Sequence, residues 1–272
     1  MADLTCVLCG GPADQVGRFC VACVGRQGRA SASRWGTAMH VGRARVDLLR
    51  TLRWPLVMLL FAGVGVAGIR AGESWLAARQ LHRALGRGVV AAHDPQITRL
   101  VHLERSLSVL QLGTTVTIGI VFLAWWALAY RNLGALGVAR RNPTSWVVVS
   151  WFVPLVSLVA PKRVAEQLRR GSDAETPLGW GYRRGVMSAL VTGWWVTWLA
   201  SIALPPAALV ALSAVAAARP DLVGPIVVAS GAAFVLSAVL LGVAGLCAVV
   251  LVGEVTAGQI DRARALADAG LA

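Results

Sequence analysis

Several stretches of this chain are too long and too apolar for a water-soluble fold. The clearest runs from 226 to 252 without one charged side chain, and others lie at 54–78, 107–129 and 186–204. A helix needs roughly 20 apolar residues to cross a bilayer. Charged residues make up only 14% of the chain and hydrophobic residues 57%, whereas a typical soluble domain is about 25% charged. Packed in water, these runs would form one core with too little polar surface to cover it. The fold class is an all-α polytopic membrane protein.

The net charge is +13, nearly all of it arginine, with Lys162 the one lysine. In a membrane chain such charge flanks the spans and sets their orientation. Nucleic-acid binding is the weaker reading. The basic linker at 26–53 holds one aromatic residue, Trp35, where a single-strand binder needs several for stacking.

The first 25 residues carry Cys6-x2-Cys9 and Cys20-x2-Cys23. Two such thiolate pairs can close a tetrahedral S4 site around structural zinc, and two CxxC knuckles this close are a strong signal. A redox or disulfide pair is the competing reading, weakened because no βαβ pattern surrounds the cysteines. No signal-peptide pattern precedes the first span. A thiolate site needs a reducing compartment, so the N-terminus is expected in the cytoplasm and the spans in the plasma membrane. Residues 26–53 form a basic juxtamembrane linker in which Arg43, Arg45, Arg50 and Arg53 can meet anionic headgroups, each worth ~1 kcal/mol near such a leaflet.

The membrane domain is expected over 54–255. Gly68 and Gly72 offer a close-packing face on the first span. That helix continues to about residue 85 and breaks at Gly86 and Gly88. Asp94-Pro95 then has the form of an N-cap and first helical residue. His82, His93 and His102 lack metal-ligand spacing and read as polar-face side chains. Trp125, Trp126 and Tyr130 form an aromatic belt at the end of the second span. A short apolar segment follows at 145–161. Pro154 breaks it, Pro161 ends it, and basic residues crowd both ends. The next span is kinked or stopped at Pro205-Pro206, and 207–218 prolong its helix or pack on it. The last span is lined by Gly231, Ala238, Gly242 and Gly245, and an amphipathic cytoplasmic tail occupies 256–272.

If 145–161 crossed fully, the basic residues that follow it would lie outside, against the positive-inside rule. Charge therefore favours four transmembrane helices plus a proline-broken re-entrant segment, with a fifth transmembrane helix as the alternative. The arginines of 79–108 fit neither arrangement. Arg131 and Asn132, beside this segment, read either as a polar cluster that ties the second span to it through carbonyls freed at Pro154 or as an ordinary interfacial arginine and a turn asparagine.

The stretch from Leu123 through Tyr130-Arg131-Asn132-Leu133-Gly134 to Gly137, then Trp146, Trp151-Phe152-Val153-Pro154, Ser157 and Pro161-Lys162, resembles a bacterial, mostly actinobacterial, membrane family known only as domain of unknown function 4328. An asparagine is common in that family where this chain has Ser157. The resemblance implies a helical membrane architecture over about 50–255 and a variable cytoplasmic N-terminal region. It implies no activity. It marks Arg131, Asn132, Trp151, Pro154, Ser157 and Pro161 as the motif to test.

No catalytic set is present at membrane depth: no serine with a histidine in reach, no HExxH, no paired aspartates. The reading is non-enzymatic. A membrane-anchored interaction protein, meeting a cytoplasmic or membrane protein through its zinc ribbon, fits best. A small transporter or channel built around 145–161 is the alternative, opposed by the lack of a carboxylate deep in any span.

Overall fold

The computed structural model describes residues 45–86, 95–176 and 188–268. The cysteines at 6, 9, 20 and 23, and Arg43, lie outside them. Four long helices dominate: α1 (Val46–Gly86), α2 (Pro95–Ala135), α5 (Ala189–Ala218) and α6 (Val223–Asp268). Two shorter ones, α3 (Thr144–Val149) and α4 (Ala160–Gly171), lie between α2 and α5. All four long helices are long and apolar enough to cross a membrane.

Local chemistry sets several helix ends. Gly86 closes α1 and Pro95 opens α2, since proline fits a first turn where its missing N–H costs nothing. Pro205 and Pro206 sit inside α5 without ending it. In lipid-spanning helices neighbouring groups re-satisfy the freed backbone, so proline is tolerated there. The carboxy-terminal segment is no separate element, because α6 runs unbroken to Asp268. Between α5 and α6, Arg219 binds Asp221 at 2.9 Å and holds that carboxyl below its usual value.

The chain divides into two compact units. One gathers Pro55–Val121 and Ala189–Val250. Within it small residues let helices approach closely. A β-carbon added at Gly245 would lie 2.7 Å from the Val64 side chain, and one at Gly231 would lie 2.8 Å from Ala78. Gly68 and Gly72 behave otherwise: nothing lies within 4 Å of their would-be β-carbons. A small-x3-small spacing recurs by chance in a glycine-rich chain, and here α6 supplies the close contact instead. Ser237 Oγ donates to the Ser201 carbonyl at 2.7 Å, joining α6 to α5. On α2, Val109, Leu112, Val116 and Ile120 stay more than half exposed in a stripe three to four residues apart, the face that hydrocarbon would cover.

The other unit gathers, of the described residues, 45–54, 122–176, 188 and 251–268. Its core is aromatic. Trp125, Trp126 and Tyr130 are all fully buried, so the expected lipid-facing belt is a packed core. Phe122 and Trp126 meet Trp151 edge-on, at 5.7 and 5.8 Å between ring centroids. Edge-to-face packing suits the opposed charges of ring edge and face. Trp151 thereby seats the proline-broken segment on the end of α2.

That segment is no helix of spanning length. After α3 the chain turns through Trp151–Pro154 and makes a tight three-residue turn in which Val156 N–H donates to the Pro154 carbonyl at 2.7 Å. Leu155 sits at its centre with φ 63°, a left-handed conformation that L-residues rarely adopt. A short 3-10 turn, Val156–Leu158, leads into α4. Pro161 begins α4 instead of ending the segment, for the same reason that Pro95 begins α2. The basic stretch after it is largely this amphipathic helix, with Val164, Ala165, Leu168 and Gly171 on its buried face.

Candidate functional site

The polar residues of the second unit described above converge on one buried lattice. It begins where α2 stops. Gly137, at φ 74°, lets the chain reverse, and Val138 N–H then reaches back to the Leu133 carbonyl at 2.9 Å. This is a glycine-dependent helix terminus, and it accounts for the glycine at 137 of the motif. It also leaves the Leu136 carbonyl without a helical partner.

Asn132 lies one turn before that terminus and is 3% exposed. Its Oδ1 accepts the backbone N–H of Arg45 at 3.1 Å. Its Nδ2 donates to Gln259 Oε1 of α6 at 3.1 Å. Gln259, fully buried, donates in turn to the Ala129 carbonyl at 2.9 Å and to Ser172 Oγ at 3.3 Å. The two amides thus join four places: the start of α1, the end of α2, the end of α4 and the late turns of α6.

Around this centre further groups are hydrogen-bonded. Trp125 Nε1 donates to Thr256 Oγ1 at 3.3 Å. Tyr130 OH donates to Gln167 Oε1 at 3.4 Å and accepts Asn142 N–H at 3.1 Å. Gln167 Nε2 reaches the Ala139 carbonyl at 3.2 Å. Glu166 Oε1 accepts Ser188 N–H at 2.8 Å. Arg262, 2% exposed, donates through Nε to Leu136 O at 2.9 Å and through Nη1 to Asp173 O at 2.8 Å and Thr176 O at 2.6 Å. Its charge therefore lies beside the carboxyl ends of α2 and α4, the negative ends of their dipoles.

The expected motif residues divide. Asn132 is central, but its partners are Arg45 and Gln259, not carbonyls near Pro154. Arg131 faces outward, and Pro154 is exposed. Trp151 packs in the aromatic core, Ser157 is half-buried, and Pro161 is buried at the start of α4. Of the linker arginines, Arg45 contributes backbone only, and Arg53 stacks 5.6 Å over Trp54. Sequence reasoning missed Gln259, Arg262, Thr256 and Gln167. A signal was available. Thr256, Gln259 and Arg262 recur every three residues, which places them on one helical face, and Leu266 continues that face.

A separate polar group lies in the other unit. Glu73 of α1 is 8% exposed, and neither carboxylate oxygen has a hydrogen-bond partner among the described residues. Arg70 Nε, one turn earlier, is likewise without one. Glu73 lies toward the far end of the apolar run 54–78, in a helix long and apolar enough to cross a membrane.

Among the described residues no group of three metal-ligating side chains occurs. The model of the family described as Domain of unknown function (DUF4328) matches residues 88–257. No curated protein and no solved structure matches the chain.

Proposed function

The chain belongs to the DUF4328 family, and from the lattice just described we propose that it is a membrane-anchored interaction protein whose family domain mounts an N-terminal zinc ribbon. One observation carries this reading. The Arg45 N–H, where the N-terminal region enters α1, is held by buried Asn132, which Gln259 holds in turn. The family domain thus holds the point at which the N-terminal region enters α1, as an anchor for that region requires. The Asn132 and Gln259 amides and the Arg262 guanidinium find their partners within the lattice and so serve to hold elements together. Four crossings return the C-terminal end to the side of the N-terminus. Four cysteine thiolates from two CxxC pairs fit tetrahedral zinc, with no open position for catalysis. The reducing requirement of that site puts it in the cytoplasm, where the arginine linker would face anionic headgroups.

The test is affinity purification of the full chain in mild detergent against a Cys6→Ser/Cys9→Ser variant, with zinc assayed on both. The variant is expected to lose its zinc and its copurifying partner together, while its helical content is unchanged. Retention of the same companions without zinc would overturn the reading.

Glu73 favours a second reading, a small transporter. An unpaired carboxyl within a spanning helix is a proton or cation site by default. The charged groups acting on it are Arg70 and Glu104. If it is protonated in the bilayer, a hydrophobic carbodiimide will modify Glu73 at low pH and less as pH rises, and Glu73→Gln will abolish the modification. An ion-pumping or ion-leak role then requires that proteoliposomes of the wild type, and not of Glu73→Gln, pass protons. Absence of both labelling and flux would dismiss the transporter.

A further inference from the structure

A cavity of about 430 Å³ opens in the polar unit between α3, the 3-10 turn and α4. Its walls are of two kinds. Arg141 and Arg163 supply positive charge on one part of the lining, while Trp146, Val156 and Val159 supply an apolar part. Both arginines are exposed, and neither forms an ion pair among the described residues. Gln167 adds polar lining, but its amide is already held by Tyr130 and Ala139. The N-terminus of α4 reaches the same space at Ala160, with no side chain capping it, which adds to the positive potential.

The surroundings indicate what phase the cavity meets. The segment beside it holds out Phe152 at 70% exposure, Leu155 at 79%, Leu158 at 49% and Val159 at 45%. Leu155 is the most exposed of these, and it is the residue held at positive φ. The turn thus directs a large apolar side chain outward, where a soluble protein would place a glycine or asparagine. Apolar side chains beside arginines, with a tryptophan between, are the composition of a membrane interface.

We infer that this cavity binds one anionic glycerophospholipid. Its phosphate sits between the Arg141 and Arg163 guanidiniums, and the upper part of an acyl chain lies on Trp146, Val156 and Val159. Guanidinium favours phosphate through paired, charge-assisted N–H donors, and the volume suits a headgroup with the first part of a chain. A free phosphate would use the arginines alone and leave the apolar wall to water. A zwitterionic lipid would bring a cationic group toward the same two arginines. This site does not depend on the N-terminal module.

The experiment uses the full chain, delipidated in neutral detergent and examined by native mass spectrometry and thermal shift. Phosphatidylglycerol, phosphatidylcholine and inorganic phosphate are the probes. The wild type is expected to retain phosphatidylglycerol and not phosphatidylcholine, and to melt higher with it. Arg141→Gln/Arg163→Gln should bind phosphatidylglycerol about thirtyfold more weakly, from roughly a kilocalorie per arginine. Arg264→Gln, on an exposed arginine of α6, should bind as the wild type does. Val156→Asp/Val159→Asp should lose the lipid through the other wall, a second route should the arginine variant fail to fold. Equal retention of the two lipids, unchanged binding by the arginine variant, or inorganic phosphate reproducing the whole thermal shift would each overturn the inference.

Discussion

Replacing Arg262 by methionine is expected to lower the stability of the polar unit by about 3 kcal/mol. Methionine keeps most of the side-chain volume, so little of the loss comes from packing. What goes is the donor set that, among the described residues, reaches Leu136 O, Asp173 O and Thr176 O together. The Leu136 carbonyl, left buried without its partner, costs ~1–3 kcal/mol, whereas Asp173 O keeps the Thr176 N–H at 3.1 Å and water can enter near Asp173 and Thr176, which lie toward the surface. The same guanidinium also closes the turns after α2 and after α4 onto α6, so its loss should release both. The expected observation is a melting temperature lower by about 10 °C in detergent, with faster amide exchange confined at first to 136–143 and 171–176. Arg264→Met is the control. Arg264 is exposed and pairs with Asp261 at 3.3 Å, an interaction of small worth. Arg262→Lys should fall near the methionine variant, since one ammonium cannot copy the spread of the guanidinium donors. A melting temperature unchanged in Arg262→Met would show that the two turns do not depend on it.

The second large effect is expected at Gly258. Its α-carbon faces the end of α4 so closely that an added β-carbon would lie 2.7 Å from the Ser172 carbonyl oxygen and 3.2 Å from the carbonyl carbon. These are backbone atoms, so no rotamer change relieves the clash. Gly258→Val should therefore cost about 3 kcal/mol by overpacking. Gly258→Ala is the sharper experiment because its sign is diagnostic. In a helix interior, glycine to alanine alone gains up to ~1 kcal/mol from backbone entropy and propensity. A net loss in Gly258→Ala means the close approach outweighs that gain, and with it the Gln259 to Ser172 hydrogen bond should weaken. Gly242→Ala provides the contrast. There the nearest atom is a Val64 methyl at 3.7 Å, an ordinary contact, and the substitution should be neutral or stabilising. If both alanine variants behave alike in thermal unfolding, α6 does not seat on α4 as closely as the geometry requires.

Both predictions concern α6 residues that the composition of the chain disguises. Arg262 lies between Asp261 and Arg264 and reads as one more charge on an amphipathic tail. Gly258 reads as a helix-weakening residue near a terminus. Neither reading is foolish, because a helical face becomes visible as periodicity only when its members are alike. Here the buried face mixes valine, threonine, glutamine, arginine and leucine, and hydropathy averages it away.

The sequence by itself determined where the four long apolar helices lie, the end of α1 at Gly86 and the start of α2 at Pro95, and left open whether 145–161 makes a fifth span. These follow from local composition and from the dihedral limits of glycine and proline, which act within a turn or two of the residue. It also determined the spacing of the four N-terminal cysteines, whose chemistry is a property of the pairs themselves. Only the tertiary structure decided that Trp125, Trp126 and Tyr130 form a core instead of a belt, that Pro161 opens a helix, and that Asn132 binds Arg45 and Gln259. An aromatic ring or an amide carries the same local signal in either setting. Which one it occupies depends on what is brought against it from far along the chain: Gln259 lies 127 residues from Asn132, and Arg262 lies 126 from Leu136. No local pattern records those distances, so a hydrogen-bond partner that closes such a loop becomes legible only when the helices have packed.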